Sequence, residues 1–290
     1  MSPQALAGKR AVVAGSSRGI GLAVASKLAA EGASVVVNGR DESTAKAAAA
    51  QIVGDGGVAV PVGGNAADEA TATRMVSTAM IEFGGLDVVI NCAGVAEPDG
   101  SSILTMSSRD FSAQLDAHLV STFELVRAAA PILTRQGSGA IVTTGSAASA
   151  GNFGGTGYPA GKGGVNSLSL ALAADLRPHG VRVNVVCPGG KTRLSTGAGY
   201  ETHIKSLFER GLLDEFTRDA ALNPAPPEFV APLYAYLASD LATGITGQIY
   251  SAAGGFIGRY PAFEPEFVAY RGHEDNPPYT LEDVHGFLAG

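Results

Sequence analysis

Charge of either sign is scarce in this chain. Only 16% of its 290 residues are charged, 20 basic against 27 acidic, for a formal net charge of −7. No block of Lys and Arg occurs, which argues against nucleic acid and anionic membrane surfaces as main partners, since both are held through clustered cations. Cysteine is nearly absent too. Cys92 and Cys187 stand far apart in apolar runs, so they read as buried free thiols of a reducing, cytoplasmic compartment, and their spacing suggests no metal. The opening MSPQALAG has no basic stretch followed by an apolar one, so no secretory signal is expected. No apolar run reaches membrane-spanning length, and a soluble chain is expected. What is abundant is small and aliphatic: 39 Gly and 46% hydrophobic residues suit a large, tightly packed core rather than disorder.

Short apolar runs alternate with longer amphipathic ones. Strands are expected at 10–14, 34–38, 57–62, 86–91, 140–144, 181–186 and 248–251. Helices are expected at 20–30, 68–83, 111–133, 158–177, 201–221 and from Pro226 to about Ser239, with Ser107 and Asp110 spaced as a capping box before the third. Fully apolar strands alternating with helices imply an α/β fold, a Rossmann-like doubly wound parallel sheet of about seven strands covered on both faces. With no internal repeat and no linker before about Gly255, residues 1–255 read as one domain. Residues 256–290, rich in Pro, Glu and aromatics, read as a C-terminal extension packed on it.

Tyr158 and Lys162 lie four apart on an expected helix, so both point to one face. A free phenol with a pKa of about 10 is a poor acid or base at neutral pH; lowering it by roughly 3 units asks for about 4 kcal/mol. A lysine ammonium in a partly dry cleft can supply that, where a surface helix dipole cannot. A second signal lies between the first strand and the first helix, at Gly15-Ser16-Ser17-Arg18-Gly19-Ile20-Gly21. Glycines so placed let the backbone turn sharply and bring a pyrophosphate against a helix N-terminus. Asn91-Cys92-Ala93-Gly94 ends the fourth strand at the carboxyl edge of the sheet, where small residues allow an adenine-ribose group to approach the backbone.

Together GSSRGIG, NCAG, YPAGK and VRVNVVCPGG resemble the short-chain dehydrogenase/reductase family over residues 9–255. His118-Leu119, Gly151-Asn152-Phe153-Gly154, Thr192-Arg193-Leu194-Ser195, the segment 227–233 and Gly254-Gly255-Phe256-Ile257-Gly258-Arg259 look closer still to the (3R)-hydroxyacyl-CoA dehydrogenase unit of peroxisomal multifunctional enzyme type 2. The resemblance implies hydride transfer between a nicotinamide cofactor and a carbinol or ketone carbon. It makes Tyr158 the general acid or base and Lys162 the group that tunes it and holds the nicotinamide ribose. It also implies cofactor contacts at Gly15, Ser17, Arg18, Gly19, Ile20, Gly21, Arg40, Asn65 and Ala66, then at Asn91, Ala93, Gly94, Pro188, Gly189 and Thr192.

Two positions depart from the family pattern. Its serine, thirteen residues before the tyrosine, is here Gly145; Ser146 is expected to take the role through a loop one residue shorter, with Ser149 as the alternative. The polar residue that anchors a water relay behind the lysine, usually asparagine, is here His118. After the second strand no carboxylate greets the ribose 2′-OH; Arg40 and Arg18 stand there instead, which suits a 2′-phosphate and predicts NADP(H), with NAD(H) as the alternative. Asn65 is expected to meet the adenine amino group.

Residues 189–199 and the following helix are expected to form a lid. Lys191, Arg193, Lys205 and Arg210 are candidates for coenzyme A phosphates, and Phe153, Leu194, Leu207 and Phe208 for an apolar slot. The expected activity is interconversion of a secondary alcohol and a ketone on 3-hydroxyacyl or 3-oxoacyl thioesters. A hydroxysteroid dehydrogenase and a non-catalytic dinucleotide-binding redox sensor are the alternatives. Leu115, Leu119 and Phe123 on one helix and Leu168, Leu172 and Leu176 on another suggest pairing across a two-fold axis, hence a homodimer or homotetramer.

Overall fold

Along the first strand, β1 (Arg10–Ala14), Ala11 and Val13 enter one apolar cluster while Val12 and Ala14 enter another. The second strand, β2 (Ser34–Gly39), divides the same way, Val35 and Val37 against Val36. A strand alternates its side chains between two faces, so a strand with no polar register must be covered on both. Each fully buried valine of this kind contributes about 1.5–3 kcal/mol. The computed structural model that shows this describes residues 4–98, 100–193, 195–262, 264–274 and 276–289.

The remaining strands are β3 (Val58–Gly63), β4 (Val88–Asn91), β5 (Gly139–Thr144), β6 (Val181–Gly189), β7 (Gln248–Ala253) and β8 (Phe256–Arg259). Among the described residues they form one sheet in the order β3-β2-β1-β4-β5-β6-β7-β8, parallel except for β8, which runs antiparallel to β7. The eighth strand goes beyond the expected seven. It turns back through Gly254 at φ +54, and its residues Phe256 and Ile257 are exposed, so no buried apolar run announced it. The strand order reverses between β1 and β4, which opens a crevice at their carboxyl ends.

The helices are α1 (Gly19–Ala30), α2 (Glu42–Gly54), α3 (Glu69–Phe83), α4 (Ser108–Leu115), α5 (Ser121–Gln136), α6 (Gly157–Leu176), α7 (Ala198–Glu209), α8 (Glu215–Leu222), α9 (Ala231–Ala238) and α10 (Leu281–Leu288). Three differences from the sequence reading matter. Helix α2 was not expected, because its buried residues are three alanines and Ile52, a stripe too faint to stand out. The long helix expected at 111–133 is α4 and α5 joined by a π-turn over Asp116–Val120. The expected helix at 201–221 is α7 and α8, separated where Gly211 adopts φ +71. Ser107 does cap α4 by accepting from the Asp110 amide at 3.1 Å, and its hydroxyl donates to the Asp110 carboxylate at 2.7 Å.

The chain divides into two compact units, Met1–Tyr260 and Pro261–Gly290. The second is organised around α10, opened by a capping box of Thr280 and Asp283, with Tyr279 edge-on to Phe287 and beneath the Arg271 guanidinium. Among the described residues no helix is long and apolar enough to cross a membrane, and no group of side chains is arranged to hold a metal ion.

Candidate active site

A cleft of about 1860 Å³ opens at the carboxyl ends of the strands. The residue turning from β1 into α1 is Gly15, at φ +68, and a side chain there would drive into the Ala93 backbone at 2.6 Å. A Cβ on Gly21 would collide with the Gly15 carbonyl, so the loop closes against α1 only with glycine at both places. Asn38 holds the loop from the next strand. Its Oδ1 accepts from Gly15 N at 3.0 Å, and its amide donates to the Val62 and Gly64 carbonyls at 3.1 Å each. Ser16 completes the strap by accepting from Asn38 N at 2.9 Å. Asn38 was not singled out in the sequence, where a buried Asn at a strand end looks like any polar stop.

Ser17, Arg18, Gly19 and Ile20 line the cleft with Gly15 and Gly21, and Arg40, Asn65, Ala66, Ala93 and Gly94 continue its wall. Asn65 turns its amide toward Asp68 at 3.3 Å. Pro188, Gly189 and Thr192 close the far side, the Thr192 methyl lying opposite Gly19. Asn91 is the exception. It lies behind the wall, donating to Ser121 at 3.0 Å and Thr122 at 2.7 Å and accepting from Ala93 N at 2.9 Å, so it shapes the NCAG turn from within. Arg18, Arg40 and Arg193 converge. The Arg18 guanidinium is held below its ordinary pKa by partial burial, then by the fields of Arg193 and Arg40, with Asp41 opposing.

At the cleft floor Ser146 and Tyr158 line the wall together, and the Ser146 hydroxyl favours the ionised phenol. Ser146 sits at the entrance to a 3₁₀ turn over Ala147–Ala150, where its oxygen also accepts from Ala148 N at 3.2 Å. Ser149 points elsewhere, donating to the Ser146 carbonyl at 2.7 Å and accepting from the Asn166 amide at 3.0 Å. Lys162, on α6 one turn beyond Tyr158, is buried. Its ammonium donates to the Thr144 carbonyl at 2.8 Å and stands 5.9 Å from the Tyr158 ring centre. Burial pushes Lys162 down to about 8.

The expectation that Lys162 lowers the phenol is not met by this geometry. Burial raises Tyr158 above the ordinary phenol value, with the Ser146 hydroxyl opposing it. The Lys162 ammonium, held on the Thr144 carbonyl, is not among the groups that shift the resting phenol, and desolvation sets the direction.

His118 lies in the π-turn, almost fully buried, its ring edge-on to Tyr158 at 4.9 Å between centres. Burial, then the field of Lys162, pushes it down to about 2, so it is neutral in the fold. Four residues escaped the sequence reading. Gln114 touches His118 Nε2 at 3.2 Å, and Thr144 carries the carbonyl that holds Lys162. Tyr234 hydrogen-bonds the Thr144 hydroxyl at 2.9 Å from α9. The Glu97 carboxylate accepts from Thr156 N at 2.7 Å and Gly157 N at 2.9 Å. None belongs to a local motif, because each meets the site from a distant part of the chain.

The lid differs from expectation in its lining. Phe153, Lys191 and Arg193 face the cleft, while Lys205 and Arg210 do not line it. Leu207 packs with Ile204 and Leu213 in a small core of its own, and Phe208 lies beneath Arg218 at 4.2 Å. Leu194 lies outside the described residues. His203 fastens α7 to the loop through the Phe153 carbonyl at 3.0 Å. The two thiols are free: Cys187 is buried, and Cys92 is partly exposed on the cleft floor. Burial pushes them up to about 12 and about 11.

Residues 14–257 match a protein family described as Enoyl-(Acyl carrier protein) reductase. A 3-oxoacyl-(acyl-carrier-protein) reductase of Synechocystis is 34% identical over 256 residues, 87% of this chain and 98% of that protein. A 3alpha-hydroxysteroid dehydrogenase of Mediterraneibacter gnavus is 33% identical over 253 residues, 86% of this chain and 97% of that one. The crystal structure of a short chain dehydrogenase from Mycobacterium avium superposes with a TM-score of 0.80 at 30% identity, covering 98% of this chain and 94% of the other.

Proposed function

The chain belongs to the short-chain dehydrogenase/reductase family and is an oxidoreductase of alcohols and ketones with a nicotinamide cofactor, and from that premise we propose that it reduces 3-oxoacyl thioesters with NADP(H), through Tyr158, Ser146 and Lys162. The observation that carries the reading is that Ser146, Tyr158 and Lys162 meet on the floor of a cleft whose other half is the glycine cradle.

The cradle fits a dinucleotide. Gly15, Gly21 and Gly94 let the loop, α1 and the cleft wall pack closer than any side chain would allow, and the free amides at the start of α1 favour an anion. When bound, the cofactor supplies the hydride. The chain's residues supply the proton: Tyr158 donates it to the carbonyl oxygen while Ser146 hydrogen-bonds that oxygen and orients it. A phenol raised by burial stays protonated at neutral pH, so the proton to be donated is present in the resting site, while its release depends on positive charge beside the phenolate. Lys162, fixed by the Thr144 carbonyl, lends positive charge beside the developing phenolate. His118 and Gly94 line the wall next to it.

Arg18, Arg40 and Arg193 support the NADP(H) preference, because three guanidiniums gathered in one corner repel one another until a dianion joins them. The thioester reading draws on the Synechocystis relative and on the hydroxyacyl-CoA features His118-Leu119, Gly151-Asn152-Phe153-Gly154 and the Phe256–Arg259 strand. Lys191 at the cleft is a cation available to a carrier phosphate. The hydroxysteroid reading is kept because of the Mediterraneibacter relative and the apolar Phe153 and Phe216 on the cleft wall.

Reduced thiols at Cys92 and Cys187 suit the cytoplasm. Exposed Phe123 on α5 supports association into a homodimer or homotetramer. Leu176 belongs to the chain's own core with Leu172 packed on it, which leaves Leu168 as the contribution of α6.

Following NADPH absorbance with acetoacetyl-CoA and with a 17-ketosteroid tests the assignment. Turnover of acetoacetyl-CoA that disappears in Tyr158→Phe, with cofactor affinity retained, is the expected result. Tight NADPH binding with neither ketone turned over would favour a dinucleotide sensor instead.

A further inference from the structure

Ser146 opens onto the cleft from the start of a short 3₁₀ turn, Ala147–Ala150, that has little of its own to hold it in place. Such turns are tight, and their hydrogen-bond geometry is poor. Three of the four residues are alanines, and only Ala148 is buried. The fourth is Ser149, whose hydroxyl donates to the Ser146 carbonyl at 2.7 Å, beside its own amide at 3.1 Å. Among the described residues, the one side-chain hydrogen bond that ties this turn to another element runs from Asn166 Nδ2 to Ser149 Oγ, at 3.0 Å.

Asn166 stands eight residues after Tyr158 and four after Lys162 on α6, so the three share one side of the helix. The tyrosine, the lysine and the group that holds the serine's turn therefore belong to one rigid element. The hydroxyl decides which end of the amide faces it. Ser149 has a single hydrogen, spent on a carbonyl that can only accept, so its oxygen must receive from Asn166, and the amide nitrogen is the atom that meets it.

That orientation leaves Asn166 Oδ1 closed off from solvent with no hydrogen-bond partner, in a residue only 7% exposed. An unmet buried acceptor works against folding. A leucine, with the same branched shape, would avoid that loss, so the amide is kept for its donor end. Room for it comes from Gly145, because a Cβ there would collide with Asn166 Oδ1. The glycine where the family has serine and the asparagine on α6 are thus two halves of one arrangement. It acts on Ser146, the residue next to that glycine.

We infer that Asn166 is a positioning residue: through Ser149 it clips the turn that carries Ser146 to the helix that carries Tyr158, and Gly145 supplies the room for its amide. The inference deepens the oxidoreductase reading and rests on it for its effect on turnover. The clip itself is a property of the resting protein and is measurable without substrate.

Amide hydrogen exchange on the cofactor-free protein reads the clip in Asn166→Leu, which removes the donor and the unmet acceptor together. The Ala148 and Ser149 amides, bonded to Ser146 Oγ and the Ser146 carbonyl, are expected to exchange about tenfold faster, with amides in the middle of α6 unaltered. The urea midpoint is expected to stay level or rise, because the unmet acceptor is gone. Unaltered exchange in the turn overturns the inference. So does a lower midpoint with faster exchange throughout α6, which would make Asn166 a packing residue. Ser149→Ala, which leaves α6 untouched, is expected to loosen the same two amides. In turnover each variant is expected to lower kcat about tenfold with KM for cofactor nearly unchanged, and to add nothing in a Ser146→Ala background. Losses that add to that of Ser146→Ala overturn the route through Ser146. Full activity in Ser146→Ala itself would overturn the catalytic reading of that serine while leaving the exchange result standing, so the two failures are distinguishable.

Discussion

Gly145 and Asn166 leave no room between them. A Cβ on Gly145 would collide with Asn166 Oδ1 and come within 2.8 Å of Cys187 Sγ and 2.9 Å of Val185 Cγ1. A serine thirteen residues before the tyrosine cannot fit here, and the hydroxyl that acts on the Tyr158 phenol is that of Ser146, the next residue. Gly145→Ser is therefore expected to cost about 1–3 kcal/mol of stability by overpacking. Ser146→Ala is expected to lower kcat about 10²-fold, the loss of one donor to a developing oxyanion. The double variant Gly145→Ser/Ser146→Ala separates the two effects by urea unfolding and steady-state kinetics: recovery of activity in the double variant would mean that position 145 still has access to the tyrosine.

The sequence made the sheet, the glycine cradle and the Tyr158–Lys162 helix legible because each is written locally. Strands buried on both faces show as unbroken apolar runs, and GSSRGIG lies between one such run and a helix. What escaped depends on contacts between distant segments. The strap from Asn38 to Gly15 spans 23 residues and the clasp from Glu97 to Thr156 spans 59, and neither leaves a periodicity. The π-turn escaped as well, since one extra residue per turn at Asp116–Val120 barely disturbs the spacing of Leu115, Leu119 and Phe123. The rise in the Tyr158 pKa could not be read from spacing at all, because it follows from burial.

Lys162 carries a stability cost that depends on pH. Burial lowers its pKa from the ordinary value to about 8 in the fold, so between about pH 8 and 10.5 the unfolded chain binds more protons than the folded one. Stability then rises with pH across that window, by up to about 3 kcal/mol from this residue. Below about pH 8 both states are protonated and the cost is constant. Lys162→Met in the cofactor-free protein is expected to flatten the slope of unfolding free energy between pH 8 and 10. Parallel profiles for the two proteins would show that the ammonium is hydrated in the fold.

The gathering of Arg18, Arg40 and Arg193 predicts a cofactor preference that can be removed at one position. Arg40→Ala is expected to lower kcat/KM with NADPH about 10- to 100-fold, the loss of a charge-assisted hydrogen bond, and to leave the value with NADH within about twofold. The NADPH loss should shrink as ionic strength rises, because screening weakens the phosphate contact in both proteins. Equal losses with both cofactors would place Arg40 in the fold of the loop rather than at the 2′-phosphate.

Glu97 is the one carboxylate among the described residues on the cleft wall, and it is used to close the N-terminus of α6. Thr156, at the cap position, offers no side-chain bond to the helix, so the first amides of the helix that carries Tyr158 and Lys162 depend on a residue from the loop after β4. That loop also carries Val95 and Ala96, which meet His118 and Gln114. Losing the clasp frees the loop and the helix start together. Glu97→Ala is expected to cost about 1 kcal/mol of stability, as for other lost caps, and to lower kcat by letting Tyr158 drift from Ser146. Glu97→Gln keeps an acceptor oxygen for the two amides and is expected to recover most of both losses. Should Glu97→Gln match Glu97→Ala in kcat while regaining its stability, the negative charge itself would be what the site needs.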